Sequence, residues 1–309
     1  MKRYPSCIMA TCCIPWDDGG RFAEAIFRRS VRGMLTRGTR HLYVFGTAGE
    51  GFAVTEQQFD QIVEAFTEEM RQGNAEPMVG VIHLSLGTIL ERIERCRARG
   101  VRQFQISLPS WGALGDAELF EFFRQVCARF RDCQFIHYNL PRTKRLVTGK
   151  EYGRLAEEHP NLVATKNCGD SLAHIQSLLA DSPQLQHFLS ETGYVYGSQF
   201  SECGLLASFI ISWPKMQALF EAGRRRDFPT LAALQRECNV VARTLLEVVP
   251  GDRIDGAYDK LFEKMHDPEF PLRLLPPYAG SSDDEYRAFV KLLGERLPDW
   301  LPSGDTSNK

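Results

Sequence analysis

Apolar and polar positions along the chain fall into two alternating patterns. Short, nearly continuous apolar runs occur at residues 7–12 (CIMATC), 41–46 (HLYVFG), 77–83 (PMVGVIH), 101–108 (VRQFQISL), 133–139 (CQFIHYN), 162–166 (LVATK), 186–191 (QHFLSE) and 204–209 (GLLASF). A parallel strand covered on both faces reads this way, because neither face alternates with water. Between the runs lie stretches with apolar residues three and four apart, the mark of a helix with one buried stripe. RFAEAIFRRSVRGMLTRG, TEQQFDQIVEAFTEEMRQG, SLGTILERIERCRARG, DAELFEFFRQVCARF, TGKEYGRLAEEH and SLAHIQSLLADS all fit. The second opens on Thr55, a side chain suited to capping a helix start, and closes at a glycine.

Eight strand–helix units repeating every 20 to 36 residues or so predict an α/β chain folded as a (β/α)8 TIM barrel. The competing arrangement is an open doubly wound sheet, which usually carries a Gly-rich turn after its first strand. Here that strand runs into IPWDDGG, which holds no G-x-G-x-x-G. From about residue 215 the pattern is helical: PKMQALFEAGRRRD, PTLAALQRECNVVARTLLEVV, IDGAYDKLFEKM and SDDEYRAFVKLLGERL. The expected organisation is a barrel over 1–214, a C-terminal helical extension over 215–301 that completes and packs on it, and a disordered tail over 302–309.

Composition narrows the class. The chain has 309 residues, 43% hydrophobic and 25% charged, as in an enzyme-sized globular protein. Its 37 basic side chains nearly balance 39 acidic ones, so no charged surface calls for nucleic acid. RARGVR and GRRRDF read as solvated helix ends. The nine cysteines are odd in number, contain no C-x-x-C pair and mostly sit in apolar runs. That favours reduced thiols in a cytoplasmic protein over disulfides or a zinc site. No apolar run is long enough to span a membrane. The start, MKRYPSCIMATCC, has too short an apolar stretch for a signal peptide. No metal, cofactor, nucleic-acid or membrane partner is expected.

Candidate chemistry collects where a barrel builds its active site, at the C-terminal ends of the strands. Thr47 and Glu50 follow strand two, Trp111 follows strand four, and Tyr138, Asn139, Arg142 and Lys144 end or follow strand five. Lys166 ends strand six. A lysine there can snorkel, with its head in water. It can also be desolvated, lose its proton and attack a ketone to give a Schiff base. That chemistry needs a proton shuttle, which the Tyr138 hydroxyl can be if Thr47 relays to it. The small residues of GTAG let backbone N–H groups approach a carboxylate. Each residue also has a plainer role: Tyr138 as an aromatic with a wet hydroxyl, Glu50 as a helix-start acid, Cys168 as a small packing residue. His83 and His137 are alternative bases or ordinary packed histidines.

In their order and spacing these segments resemble the dihydrodipicolinate synthase/N-acetylneuraminate lyase family of pyruvate-type class I aldolases. GTAGEGFAVTEQQ resembles the family's G-[TS]-T-G-E and its helix start, HYNLP its Y-N-x-P, and HPNLVATKNCGD its segment around the Schiff-base lysine. IPWDDGGRFAEA and GLLASFIISWP resemble its opening and its region after strand eight. The likeness spans residues 7 to about 214. It implies that Lys166 forms the Schiff base, that Tyr138 shuttles the proton, and that Thr47 contacts the substrate carboxylate or relays to Tyr138. It further implies that the backbone at Ala48 and Gly49 holds the carboxylate, that Leu206 lies against substrate, and that the protein is a cofactor-free homotetramer or homodimer.

The departures concern the substrate. Ala48 stands where the family has a second hydroxyl. Trp111 replaces a tyrosine that in the synthases completes a relay across the subunit interface. Arg142 follows Pro141 directly, one residue early for the arginine that takes a second carboxylate. Glu191 stands where glycine is common, so a carboxylate there can face substrate, and Asn167 replaces an acid. The expectation is a Schiff-base lyase, an aldolase or dehydratase of pyruvate or a larger 2-keto acid, other than dihydrodipicolinate synthesis itself. The alternative is a non-catalytic keto-acid-binding or structural paralogue.

Overall fold

A computed structural model describes residues 3–169 and 171–302. The tail expected to be disordered therefore lies, from residue 303, outside the described residues. Eight parallel strands close into a barrel in chain order: β1 (Ile8–Cys12), β2 (His41–Val44), β3 (Met78–Gly80), β4 (Gln103–Ile106), β5 (Gln134–Asn139), β6 (Leu162–Asn167), β7 (Gln186–Leu189) and β8 (Gly204–Ala207). Each falls within an apolar run of the sequence or extends one residue past it.

Alternation along the strands sorts side chains between two cores. Ile8, Ala10, Leu42, Val44, Phe104, Ile106, Leu162 and Leu205 turn outward into the large core under the helices. Met9, Tyr43, Met78, Ile136, Ala164, Phe188 and Leu206 share the smaller core inside the barrel. Tyr4 closes the barrel floor. Its hydroxyl lies 3.1 Å from His41 Nδ1 and 3.2 Å from Gln103 Oε1, and its ring stands edge-on to Phe188.

The strands alternate with α1 (Glu24–Thr36), α2 (Glu56–Gln72), α3 (Leu86–Ala98), α4 (Asp116–Phe123), α5 (Gly149–Glu158), α6 (Leu172–Asp181) and α7 (Glu191–Gly197). Thr55 caps α2 in a reciprocal box with Gln58. The seventh apolar run was expected to continue as strand to residue 191. It stops at Leu189, because the Ser190 hydroxyl accepts the Gly193 N–H at 3.2 Å and starts α7. The helix α8 (Trp213–Arg225) already begins before residue 215, so the expected boundary between barrel and extension falls inside the eighth barrel helix.

Three further helices follow: α9 (Phe228–Val248), α10 (Gly256–His266) and α11 (Asp283–Arg296). Of these, α10 positions the site. Its Lys260 forms a fully buried ion pair with Glu50, Nζ to Oε1 at 2.6 Å. The same carboxylate accepts Trp16 Nε1 at 2.8 Å and the Leu275 N–H at 2.7 Å. Taking two charges out of water is costly unless the remaining lone pairs are also satisfied, and here they are. The pair ties α10 and the segment after it to the turn that follows β2. Gly256 makes this close approach possible, since a Cβ there would sit 3.0 Å from the Ala48 carbonyl oxygen.

Candidate active site

The side chain of Lys166 is 3% exposed, so it is buried and does not snorkel. Parity in β6 turns it into the barrel together with Ala164. Its Nζ lies 2.8 Å from the Tyr43 hydroxyl, 3.7 Å from the Tyr138 ring centroid and 4.5 Å from that of Tyr43. Burial pulls its pKa below the ordinary lysine value, while Cys168, Asp255 and Asp259, wherever they are ionised, oppose that shift in part. Loss of the proton is what makes an amine nucleophilic.

Tyr138 stands beside Lys166 in the β5–β6 register. Its hydroxyl is 3.2 Å from Thr47 Oγ1 and accepts the Cys168 thiol at 3.6 Å. Burial raises the pKa values of Tyr138 and Tyr43 well above that of a free phenol, so both hold their protons at neutral pH. Cys168 is solvent-accessible at the mouth, yet the protein atoms crowded around its thiol desolvate it and raise its pKa, which keeps it a thiol and a donor.

The turn after β2 brings Thr47 to this point by a tight backbone path. Phe45 and Glu50 both take left-handed conformations, at φ 65° and 54°. Phe45 is held by stacking on Phe59, 4.8 Å between centroids, and Glu50 by the three partners named above. Strain of this kind persists where the surroundings over-determine it. Glu50 is thus an anchor, not a helix-start acid, since α2 begins at Glu56. Gly46 leaves room for the lysine: a Cβ there would stand 2.7 Å from the Tyr43 ring and 3.5 Å from Lys166 Nζ.

The remaining expected site residues divide. Ala48 turns its methyl into a small cluster with Cys13 and Phe270, and Gly49 packs against the Phe45 and Cys12 backbone. Arg142 lies in a short 3-10 turn, Pro141–Thr143, with Nη2 2.9 Å from Asp255 Oδ1. Together with Thr47 it lines a cleft of about 600 Å³ that opens at the barrel mouth. Glu191 faces the loop after β8, its Oε1 accepting the N–H groups of Ser208 at 2.6 Å and Phe209 at 3.2 Å. Leu206 packs in the barrel core with Tyr43 and Phe188. Trp111 is 85% exposed and does not line the cleft; its carbonyl accepts Lys144 Nζ at 2.8 Å.

Of the two histidines, His137 points outward to Tyr152, 2.5 Å away, and burial lowers its pKa to about 3. His83 lines the cleft, and its Nδ1 accepts the Ser85 N–H. Sequence reasoning missed three residues. Tyr43 lay inside an apolar run, where only its shared parity with the other inward residues could have marked it. Asp255 is the residue that precedes α10 and Asp259 lies four residues on in its first turn, a spacing that puts both on one side of the helix start, toward the mouth. Burial raises the pKa of Asp259 well above that of a free carboxyl, and the charge of Asp255 adds to the effect. Among the described residues, no group of three His, Cys, Asp or Glu side chains is placed to hold a metal ion, and no helix is long and apolar enough to cross a membrane.

A closed eight-stranded barrel with a lysine at the end of β6, a tyrosine at the end of β5 and a GTAGE turn after β2 defines a class. The dihydrodipicolinate synthetase family model matches residues 4–247, and the chain belongs to that family. It is 22% identical over 302 residues to the N-acetylneuraminate lyase of Escherichia fergusonii, covering 94% of this chain and 96% of the relative. It is 22% identical over 265 residues to the 4-hydroxy-tetrahydrodipicolinate synthase of Exiguobacterium sibiricum, covering 84% and 88%. Among solved structures, YagE from E. coli K12 superposes with a TM-score of 0.81 at 15% identity, covering 94% of this chain and 98% of that one. YagE is a prophage protein of the dihydrodipicolinic acid synthase family, solved in complex with pyruvate.

Proposed function

We propose that this protein is a Schiff-base-forming lyase of the class I aldolase type, acting on pyruvate or a larger 2-keto acid, and that it is not a dihydrodipicolinate synthase. The observation that carries the reading is the buried Lys166 amine against the Tyr43 hydroxyl, beside Tyr138 and its Thr47 partner. Membership of the family and the pyruvate found in YagE support it. The nine unpaired cysteines support a reducing, cytoplasmic compartment.

In the proposed reaction, neutral Lys166 adds to the C2 ketone, and loss of water gives the iminium. Backbone N–H groups of the GTAG turn hold the substrate carboxylate. The C3–C4 bond then breaks, and its electron pair enters the iminium to form an enamine. Tyr138 gives its proton to the departing hydroxide as the iminium forms, and the resulting phenolate, hydrogen-bonded by Thr47, takes the proton from the C4 hydroxyl as that bond breaks. The same relay returns one proton to C3, and hydrolysis frees pyruvate and the lysine. Protons balance over the cycle, so a phenol that is neutral at rest suffices. Without a C4 hydroxyl the same enamine exchanges the C3 protons of pyruvate with solvent.

That exchange gives the test. In heavy water the methyl signal of pyruvate should fade with the wild-type protein and persist with Lys166→Ala. Exchange that survives Lys166→Ala would contradict the proposal. Pyruvate binding without exchange would favour a keto-acid-binding paralogue, a role that the apolar packing of Ala48 also fits.

A further inference from the structure

The cleft above Thr47 constrains the part of the substrate beyond C4, an inference that rests on the proposed Schiff-base chemistry. Its walls are mostly apolar. Phe52 comes from the turn after β2, Ile82 and Leu84 from the loop after β3, Leu108 from the loop after β4, and Ile254 and Tyr278 from either side of α10. Phe52 and Tyr278 meet edge to face, ring centroids 5.2 Å apart at 83°, a geometry that leaves a pre-built aromatic surface facing the cavity. Leu84 and Tyr278 remain 53% and 44% exposed, so a ligand in the cleft can cover apolar surface that the fold leaves in water.

Both guanidinium groups and one hydroxyl of the same cleft are occupied already. Arg142 is paired with Asp255, and Arg253 with Glu285 and the Gly280 carbonyl. Thr143 Oγ1 lies between the carbonyls of Leu140 and Arg145. Ser107, Ser110, the Asp252 carboxylate and the second ring nitrogen of His83 are the polar groups left to meet a ligand, against the larger apolar wall. A polyhydroxylated chain entering here would exchange its water contacts for leucine, isoleucine and ring carbon, and unpaired polar groups in such a site are costly. An aromatic or branched apolar group would instead cover exposed Leu84 and the Phe52–Tyr278 pair.

We infer that the substrate is a 2-keto acid with a bulky apolar group, aromatic or similar in size, at C4, and that sugar acids are poor substrates. The bond broken is C3–C4 of a 4-hydroxy acid, releasing pyruvate and an apolar aldehyde with the balance given above. The cavity of about 600 Å³ accommodates a phenyl ring with room to spare.

The test compares two probes by pyruvate release: 4-hydroxy-2-oxo-4-phenylbutanoate and 2-keto-3-deoxygluconate. The phenyl acid should have a kcat/KM at least about tenfold higher. Leu84→Ser and Tyr278→Ser should each shrink that ratio several-fold by raising KM for the phenyl acid. A sugar acid cleaved as well as or better than the phenyl acid overturns the inference. So does failure to cleave the phenyl acid by protein that exchanges the pyruvate methyl protons. Absence of that exchange would overturn the Schiff-base reading itself, and this inference with it.

Discussion

The Tyr43 hydroxyl lies 2.8 Å from Lys166 Nζ, although the two side chains start from β2 and β6, opposite strands of the eight. The lysine therefore spans the barrel and meets a hydroxyl that can serve its amine and, later, the carbinolamine oxygen. Because a hydroxyl accepting from the ammonium favours the charged form, Tyr43→Phe should depress the lysine pKa further. In the wild type, pyruvate methyl exchange should rise with pH on a limb lying below the ordinary lysine value of 10.5. In Tyr43→Phe that limb should move to lower pH while the plateau rate drops at least about tenfold. A pH–rate profile of both proteins measures the two effects separately.

Thr47 Oγ1 is the hydroxyl partner of Tyr138, at 3.2 Å. Thr47→Val keeps the shape and removes the relay, so kcat should fall about 100-fold or more. Thr47→Ser should restore most of it. Borohydride reduction should still capture pyruvate on Lys166 in both variants, because the amine is untouched. Equal kcat values for Val and Ser would show that the hydroxyl takes no part.

The barrel and the lysine were legible in the sequence for the same reason. Parallel strands covered on both faces leave unbroken apolar runs, and a charge that interrupts such a run at a strand end stands out. Thr47 and Tyr138 could be read from neighbouring turn residues. Tyr43 could not, because an inward tyrosine in an apolar run looks like core until a partner appears across the barrel. Asp255 and Asp259 were hidden differently: nothing local says that α10 folds back over the mouth, a path set by the pairing of Lys260 with Glu50, 210 residues apart. Glu191 is marked by its place in the chain as a substrate contact, and the fold adds a role that the sequence does not show: its Oε1 accepts two backbone N–H groups of the loop after β8.

The Glu50–Lys260 pair should dominate the mutational stability of the mouth. Glu50→Ala leaves a buried ammonium, an unpaired indole N–H and an unpaired backbone N–H, and should cost about 3–5 kcal/mol. The double variant Glu50→Met/Lys260→Met should cost less than the sum of the two single changes, because neither charge is left alone. Denaturant midpoints of the three proteins against wild type measure this.

Glu263 gives a pH signature of folding. It is buried, its Oε2 accepts from Ser30 at 2.8 Å, and its pKa is pushed up to about 7 by desolvation. From 4.5, the value of a free glutamate, up to about 7, the folded chain holds this proton more tightly than the unfolded chain. The stabilisation is thus fully present below 4.5 and is lost as pH rises through 7, a change of up to ~3 kcal/mol. Glu263→Gln should flatten the decline between pH 5 and pH 8 in denaturant titrations. An identical slope in the variant would assign the pH dependence to other groups.

The central claim is that Lys166 is a nucleophile. The most direct measurement is borohydride reduction of the protein in the presence of pyruvate, followed by digestion and mass spectrometry of the peptides. A reduced pyruvate adduct on the peptide containing Lys166, absent from Lys166→Ala, is the predicted result. An unmodified Lys166 at saturating pyruvate, or an adduct that forms equally well on other lysines, would contradict it.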